Sequence, residues 1–136
     1  TQEEVGCRGA KTAAYAEEPD VAIALDVTPA ADVPEGSKQI NARLGAGAAI
    51  KIMDRMSISN PEVVDGLFAA AKKGKITVQR EVLPYGGTDA GSMQLTRGGV
   101  PVCTISIPCR NVHSPVEMID LTDMEAARRL ALEYVK

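Results

Sequence analysis

The chain predicts an α/β fold, a sheet with helices on its faces, and three observations lead there. Apolar runs of strand length, at Val21–Leu25, Ala48–Met53 and Val100–Ile107, and an alternating segment at Ile76–Leu83 are interleaved with segments of helical periodicity. Those segments begin and end on residues suited to helix termini. Apolar residues make up 45% of the 136 positions against 24% charged, enough to fill a core between layers.

Taken in order, Cys7 to Glu17 is rich in alanine and predicts a short helix ended by Pro19. Val21-Ala22-Ile23-Ala24-Leu25 predicts a buried strand that stops at Asp26. Residues 28–47, with Pro29, Pro34, Gly36, Gly45 and Gly47, read as a long irregular connection, a length uncommon without a function. Ala48 to Met53 is the second strand. Asn60-Pro61-Glu62 is a helix start: Asn60 caps, Pro61 suits the first helical position and Glu62 the positive end. Val63, Val64, Leu67, Phe68 and Ala71 continue it as an apolar stripe, and Gly74 closes it.

Ile76 to Leu83 alternates Ile76, Val78, Arg80 and Val82 against Thr77, Gln79, Glu81 and Leu83, the pattern of a half-exposed strand. Pro84-Tyr85-Gly86-Gly87 turns into Thr88-Asp89, with a short helix from about Asp89 to Leu95 ended by Gly98-Gly99. Val100 to Ile107 is another buried strand, ended by Pro108. Thr122-Asp123-Met124-Glu125 has the form of a capping box, and Ala127, Leu130, Ala131, Tyr134 and Val135 extend it as an amphipathic helix.

Composition narrows the function. A net charge of -3 argues against a polyanion-binding surface as the main role, and no apolar run approaches the roughly 20 residues of a membrane helix. Neither nucleic acid nor membrane is therefore an expected partner. Cys7, Cys103 and Cys109 have no metal-site spacing and read as buried reduced thiols, which suits a cytosolic setting. One Phe, three Tyr and no Trp leave little for stacking on sugars or bases. The opening Thr1-Gln2-Glu3-Glu4 has neither initiator Met nor leader, so the gene product is expected to begin earlier.

The polar residues that stand out lie at the ends of apolar strands, where open α/β sheets collect ligand-binding groups: Glu3, Glu4, Asp26, Asp54, Asp89 and His113. His113 is the single imidazole. A lone loop histidine reads first as a surface or hydrogen-bonding residue, but with Glu4 and Asp26 it makes a donor set that Zn²⁺, Co²⁺ or Mn²⁺ accepts. Glu3-Glu4 reads either as a solvated acidic stretch or as a pair with divided labour, one carboxylate on a metal and one taking a proton. No GxSxG elbow occurs. The Gly86–Gly91 segment lacks the lysine of a phosphate loop and reads as a turn bringing backbone close to a ligand.

The pieces Gln2-Glu3-Glu4-Val5-Gly6, Arg8-Gly9-Ala10, Ala24-Leu25-Asp26-Val27-Thr28 and Asp54-Arg55 with Ser59-Asn60-Pro61 occur in one order. They continue in Tyr85-Gly86-Gly87-Thr88-Asp89-Ala90-Gly91 and in Ile107 to Met118, with Arg110-Asn111-Val112-His113-Ser114-Pro115 at its centre. In this order and over almost the whole chain, the sequence resembles the M42 metallo-aminopeptidases. That is the glutamyl and tetrahedral aminopeptidase group, some of whose members have been labelled endoglucanases. The resemblance implies a mixed sheet with helices on both faces, in a zinc-peptidase-like (phosphorylase/hydrolase-like) catalytic domain.

It further implies a pair of divalent metal ions, zinc or cobalt with manganese as a third candidate, and removal of the first residue from peptides with a free N-terminus. Glu3 matches the general base, Glu4 and His113 the ligands of one ion, and Asp26 a ligand of the other. Gly87, Thr88 and Asp89 match a loop lining the substrate pocket, with Arg110 close by. Arg110 then either selects acidic side chains or serves structure through a nearby carboxylate. Dodecameric self-association in the cytoplasm is implied for the full-length protein.

The family site also needs a bridging aspartate and a second histidine, expected upstream of Glu3-Glu4 together with an inserted β domain. Residues 1–136 are thus expected to be the carboxyl-terminal portion of a catalytic domain incomplete at its N-terminus, and inactive alone. Gly45-Ala46-Gly47-Ala48 departs from relatives that carry a proline after the second glycine. Two readings compete: a non-catalytic α/β fragment or assembly module, and a glycoside hydrolase using Glu3 with Asp26.

Overall fold

Helices and strands alternate as the periodicities predict, and the computed structural model describes all of residues 1–136. The strands are β1 (Ala22–Pro29), β2 (Ala48–Met53), β3 (Val78–Val82), β4 (Val102–Arg110) and β5 (Met118–Ile119). They form one five-stranded mixed sheet in the order β1-β4-β2-β3, with β5 paired to β4. β1 is parallel to β4 and β3 to β2, whereas β2 and β5 run antiparallel to β4. The helices are α1 (Arg8–Glu17), α2 (Pro61–Gly74), α3 (Ala90–Met93) and α4 (Leu121–Tyr134), preceded by a 3-10 turn at Glu3–Val5. No helix is long and apolar enough to cross a membrane.

The two faces of the sheet differ in chemistry. On one, Val63, Val64, Leu67 and Ala71 of α2 and Ala126, Ala127 and Leu130 of α4 close over Ala48, Ile50, Cys103 and Ile105. This is the stripe-to-sheet packing that the helical spacing predicts. On the other, α3 packs Ala90 against Ala22, Ala24 and Val102, with α1 lying against α3. The rest of that second face is polar, with Thr28, Lys51, Glu81, Thr104 and Ser106 all buried. It is also concave, since the Thr28 hydroxyl of β1 donates to Glu81 of β3, joining the outermost strands of the sheet. All three cysteines are free and buried.

Asn60 caps α2 as its sequence implies, its Oδ1 accepting from the backbone N–H groups of Glu62 (2.9 Å) and Val63 (3.2 Å). Elsewhere the ends shift. β1 does not stop at Asp26 but runs through it to Pro29, because β4 keeps supplying partners up to Cys109. The N–H groups of Ala22 and Ala30 donate to Pro101 and Cys109, so even-numbered residues of β1 face β4 and the missing N–H of Pro29 faces the open edge. β4 likewise passes through Pro108. That residue falls between the part of β4 paired to β2, Thr104–Ser106, and the part paired to β5, Cys109–Arg110, so no ladder bond is lost.

Two further expectations are corrected and a third is refined. Gly74 is the last helical residue of α2, and the left-handed residue that ends it is Lys75 (φ 49°), whose N–H reaches Ala71 and Lys72 carbonyls. The cap of α4 is Asp120, which accepts from the Thr122 N–H at 2.7 Å. Asp123 is instead turned inward and fully buried, accepting from Gly45 and Gly47 N–H groups at 2.7 Å each. In β3 the inward residue is Glu81, fully buried, while Val82 is 40% exposed. The strand is half-exposed as its alternation predicts, but its inward position is charged, because Glu81 finds the Lys51 ammonium 2.9 Å away.

The long connection after β1 has a definite job. Asn41 donates to the Arg80 carbonyl (2.8 Å) and accepts from the Val82 N–H (3.0 Å), and Gln79 bonds Arg43 and Gly47. Side-chain amides thereby occupy the outer edge of β3, blunting an edge that would otherwise invite pairing.

Candidate functional site

The 3-10 turn that carries Glu3 and Glu4 is framed by left-handed residues: Gln2 (φ 60°), Gly6 (φ 107°) and Cys7 (φ 52°). This reversal lets α1 start at Arg8 while both carboxylates remain at the carboxyl end of β1. The Cys7 thiol, 2% exposed, lies 3.7 Å from Glu3 Oε1 and 3.6 Å from the Thr88 carbonyl. It connects the glutamate turn to the loop before α3. Burial, followed by the charge of Glu3, pushes the Cys7 thiol up to about 11, so it stays protonated at neutral pH.

A cleft of about 420 Å³ opens beside this turn, lined by Glu3, Glu4, Asp26, Lys51, Met56, Gly86, Gly87, His113 and Glu117, among others. His113 Nε2 lies 3.1 Å from Glu4 Oε1, a contact between residues 109 positions apart. His113 adopts a left-handed conformation (φ 63°), and its N–H donates to Glu117 Oε1 at 2.6 Å, which fixes the loop between β4 and β5. Asp26 reaches the cleft from β1, its Oδ1 accepting from the Val27 N–H at 2.8 Å.

Carboxylates dominate the local electrostatics. Burial raises the proton affinity of Glu3, and the charges of Asp26, Glu4 and Asp89 raise it further. Burial also raises that of Asp26, against the opposing pull of the Val27 N–H and the Lys51 ammonium. A cation in the cleft would relieve both. The donor types, carboxylate and imidazole, are those of zinc, cobalt and manganese. Two ligands about 2.1 Å from one ion at about 90–110° stand roughly 3.0–3.4 Å apart. The Glu4–His113 separation of 3.1 Å fits that spacing and is equally that of an ordinary hydrogen bond between two exposed side chains. No group of three or more His, Cys, Asp or Glu side chains converges on a single point.

Not every residue of the sequence reading faces this cleft. Gly87 does, whereas Thr88 is buried with its hydroxyl 2.9 Å from that of Thr104. Asp89 stands at the start of α3 with Oδ1 buried and without a hydrogen-bond partner. Asp54 is a turn former, its Oδ1 accepting from the N–H groups of Met56 and Ser57. Arg110 turns away to a bidentate pair with Asp32, at 3.1 and 2.7 Å, which is the structural role its sequence left open. Lys51, Met56 and Glu117 were not singled out by sequence. For Lys51 the signal was there, a lone cation inside the apolar run Ala48–Met53.

The Arg110–Asp32 pair yields a pH prediction. The hydrogen bonds from Arg110 hold the Asp32 carboxyl below the usual carboxylate range. A depressed folded-state value stabilises the fold above the unfolded value of about 3.9 and is lost as pH falls through the folded one. The denaturant midpoint of Asp32→Asn is therefore expected to lie below that of the unmodified protein at pH 7, with the gap closing as pH drops below about 4. A gap that is constant with pH would contradict the pairing.

The family profile described as M42 glutamyl aminopeptidase matches residues 1–130. A protein of Acetivibrio thermocellus provisionally named an aminopeptidase is 50% identical over 134 residues, covering 98% of this chain and 40% of that protein. The solved aminopeptidase APDkam598 from the archaeon Desulfurococcus kamchatkensis superposes with a TM-score of 0.94 at 46% identity, covering 99% of this chain and 39% of its own. The TET1 peptidase of Pyrococcus horikoshii, which can assemble into a tetrahedron or a large octahedral shell, superposes at 0.81 with 30% identity, over 99% of this chain and 38% of its own. The chain thus spans about two-fifths of the length of such relatives, 40% in the first case.

Proposed function

This chain belongs to the M42 glutamyl aminopeptidase family, and from that membership we propose that it supplies the carboxyl-terminal portion of a metal-dependent aminopeptidase acting on peptides with a free N-terminus. The observation that carries the reading is the Glu4–His113 contact of 3.1 Å in one cleft with Glu3 and Asp26. Glu4 and His113 would hold one divalent ion, zinc, cobalt or manganese, and Asp26 a second. When bound, such ions supply Lewis-acid polarisation of a carbonyl and a water of lowered pKa.

The chain's own residues then divide the work. Glu3 takes a proton from the attacking water and returns it to the leaving amine. The cleft wall of Met56, Gly86 and Gly87 positions the substrate backbone, and a side chain at Gly87 would meet Met56 Sδ at 2.2 Å. With Arg110 committed to Asp32, no free guanidinium lines the cleft to favour an acidic first residue. Self-association of the full-length protein into a closed shell is part of the proposal, supported by the assembly of the Pyrococcus horikoshii relative.

The test is made on the full-length protein loaded with zinc or cobalt, assayed on leucyl, lysyl and glutamyl anilides and on a cellulose oligosaccharide. Metal-dependent release of the anilide, with leucyl or lysyl ahead of glutamyl, is the expected result. Cleavage of the oligosaccharide alone would move the assignment to a glycoside hydrolase. No turnover of either, in a protein that still assembles, would favour a non-catalytic assembly module.

A further inference from the structure

We propose that Lys51 is a positioning residue for Asp26, acting through a buried ion pair with Glu81 that anchors the carboxyl-terminal half of β1. The inference rests on the reading of Asp26 as a metal ligand and extends it to the floor beneath.

The pair is deep. Lys51 Nζ lies 2.9 Å from Glu81 Oε1, with side chains 2% and 0% exposed. Such a pair is a poor stability device, because removing both charges from water costs about as much as their attraction returns. Here satisfaction is also incomplete, since Glu81 Oε2 is buried with no hydrogen-bond partner, as is Ser106 Oγ on the same face. The polar pair therefore calls for a reason other than stability.

Its connections supply one. Glu81 Oε1 accepts from Lys51 of β2 and also from the Thr28 hydroxyl of β1. Thr28 follows Asp26 by two residues, so strand alternation puts both on one face of the sheet. Lys51 and Asp26 also line the same cleft. β1 has only β4 as a ladder partner, and Leu25 and Val27 on its other face are exposed. The bond from Thr28 to Glu81 is thus a second hold on the part of β1 that carries Asp26, and Lys51 fixes Glu81 in place to provide it. Its ammonium also opposes the accumulation of negative charge around Asp26.

The full-length protein tests this with divalent zinc as the probe, followed by calorimetric titration, and with the denaturant midpoint of the metal-free protein as the control for folding. In the double variant Lys51→Met/Glu81→Gln both charges leave together, so no buried charge is stranded. Its midpoint is expected to stay at or above that of the unmodified protein, while the weaker of the two zinc affinities drops on the order of 10- to 100-fold. Thr28→Val, which removes only the hydroxyl, is expected to move the same affinity in the same direction and covers the case of a double variant that fails to fold. Unchanged zinc affinity in a folded double variant, or in Thr28→Val, overturns the inference alone. An unmodified protein that binds no zinc, cobalt or manganese overturns it together with the metal-centre reading.

Discussion

Glu3→Gln in the full-length protein is expected to keep its metal ions and to lose turnover by about 10²- to 10⁴-fold, the range that a positioned general base contributes. Glutamine preserves the shape of Glu3 and offers the Cys7 thiol the same oxygen that now lies 3.7 Å from it. What it cannot do is accept a proton. The loss should fall on kcat with little change in KM, the pattern of a group whose contribution is made only in the transition state. Relief of charge repulsion with Glu4 and Asp26 is expected to leave metal affinity near its original value. His113→Ala makes the contrast, since it removes a donor from the 3.1 Å pair and should weaken metal uptake before it affects turnover at saturating metal. Metal content by elemental analysis and steady-state rates on an aminoacyl anilide separate the two. Retained turnover in Glu3→Gln would reject Glu3 as the base.

Gly47→Ala is expected to destabilise the fold by about 2–5 kcal/mol, combining a left-handed backbone with a steric conflict. Gly47 has φ +89°, and an added Cβ would lie 2.2 Å from the Thr77 carbonyl oxygen and 2.4 Å from its carbon. Neither side can retreat. The Gly47 N–H is held by Asp123 at 2.7 Å and its carbonyl by Gln79 at 2.8 Å, while Thr77 leads directly into β3. Gly45 provides the control: at φ +74° its nearest neighbour would be Asp120 Oδ2 at 3.6 Å. Gly45→Ala should therefore cost only the backbone part, about 1–2 kcal/mol. Equilibrium unfolding in denaturant measures both. Equal effects would mean that the contact with Thr77 relaxes freely.

Much of the scaffold was legible in the side chains, for reasons that particular residues make plain. Asn60-Pro61-Glu62 combines a cap, a fixed φ and a favourable charge, and α2 starts there. Ala48–Met53 is bounded by Gly47 and Asp54, which break the apolar run, and β2 has those ends. Strand ends on the polar face were illegible, because an apolar run ends where side chains stop meeting helices, whereas ladder bonds continue under Asp26 and Thr28. Which row of β3 faces inward was illegible, since the partner of Glu81, Lys51, is 30 positions away in sequence and nothing local announces it. The site divides similarly. Glu3, Glu4, Asp26 and His113 gained their roles through resemblance to a family, and their spacings alone carried no such information. The fork of Arg110 and the inward turn of Thr88 depend on Asp32 and Thr104, which only the folded chain brings near.

The unlike faces of the sheet share one response to temperature for unlike reasons. The hydrocarbon layer between α2, α4 and the sheet loses driving force on cooling, because its burial carries a large heat-capacity change. The Lys51–Glu81 floor moves the same way: hydration of free charges becomes more favourable on cooling, so the desolvation cost of keeping them buried rises. The layer that holds the helices and the layer that underlies the cleft are therefore both weakest at the cold end of the thermal range.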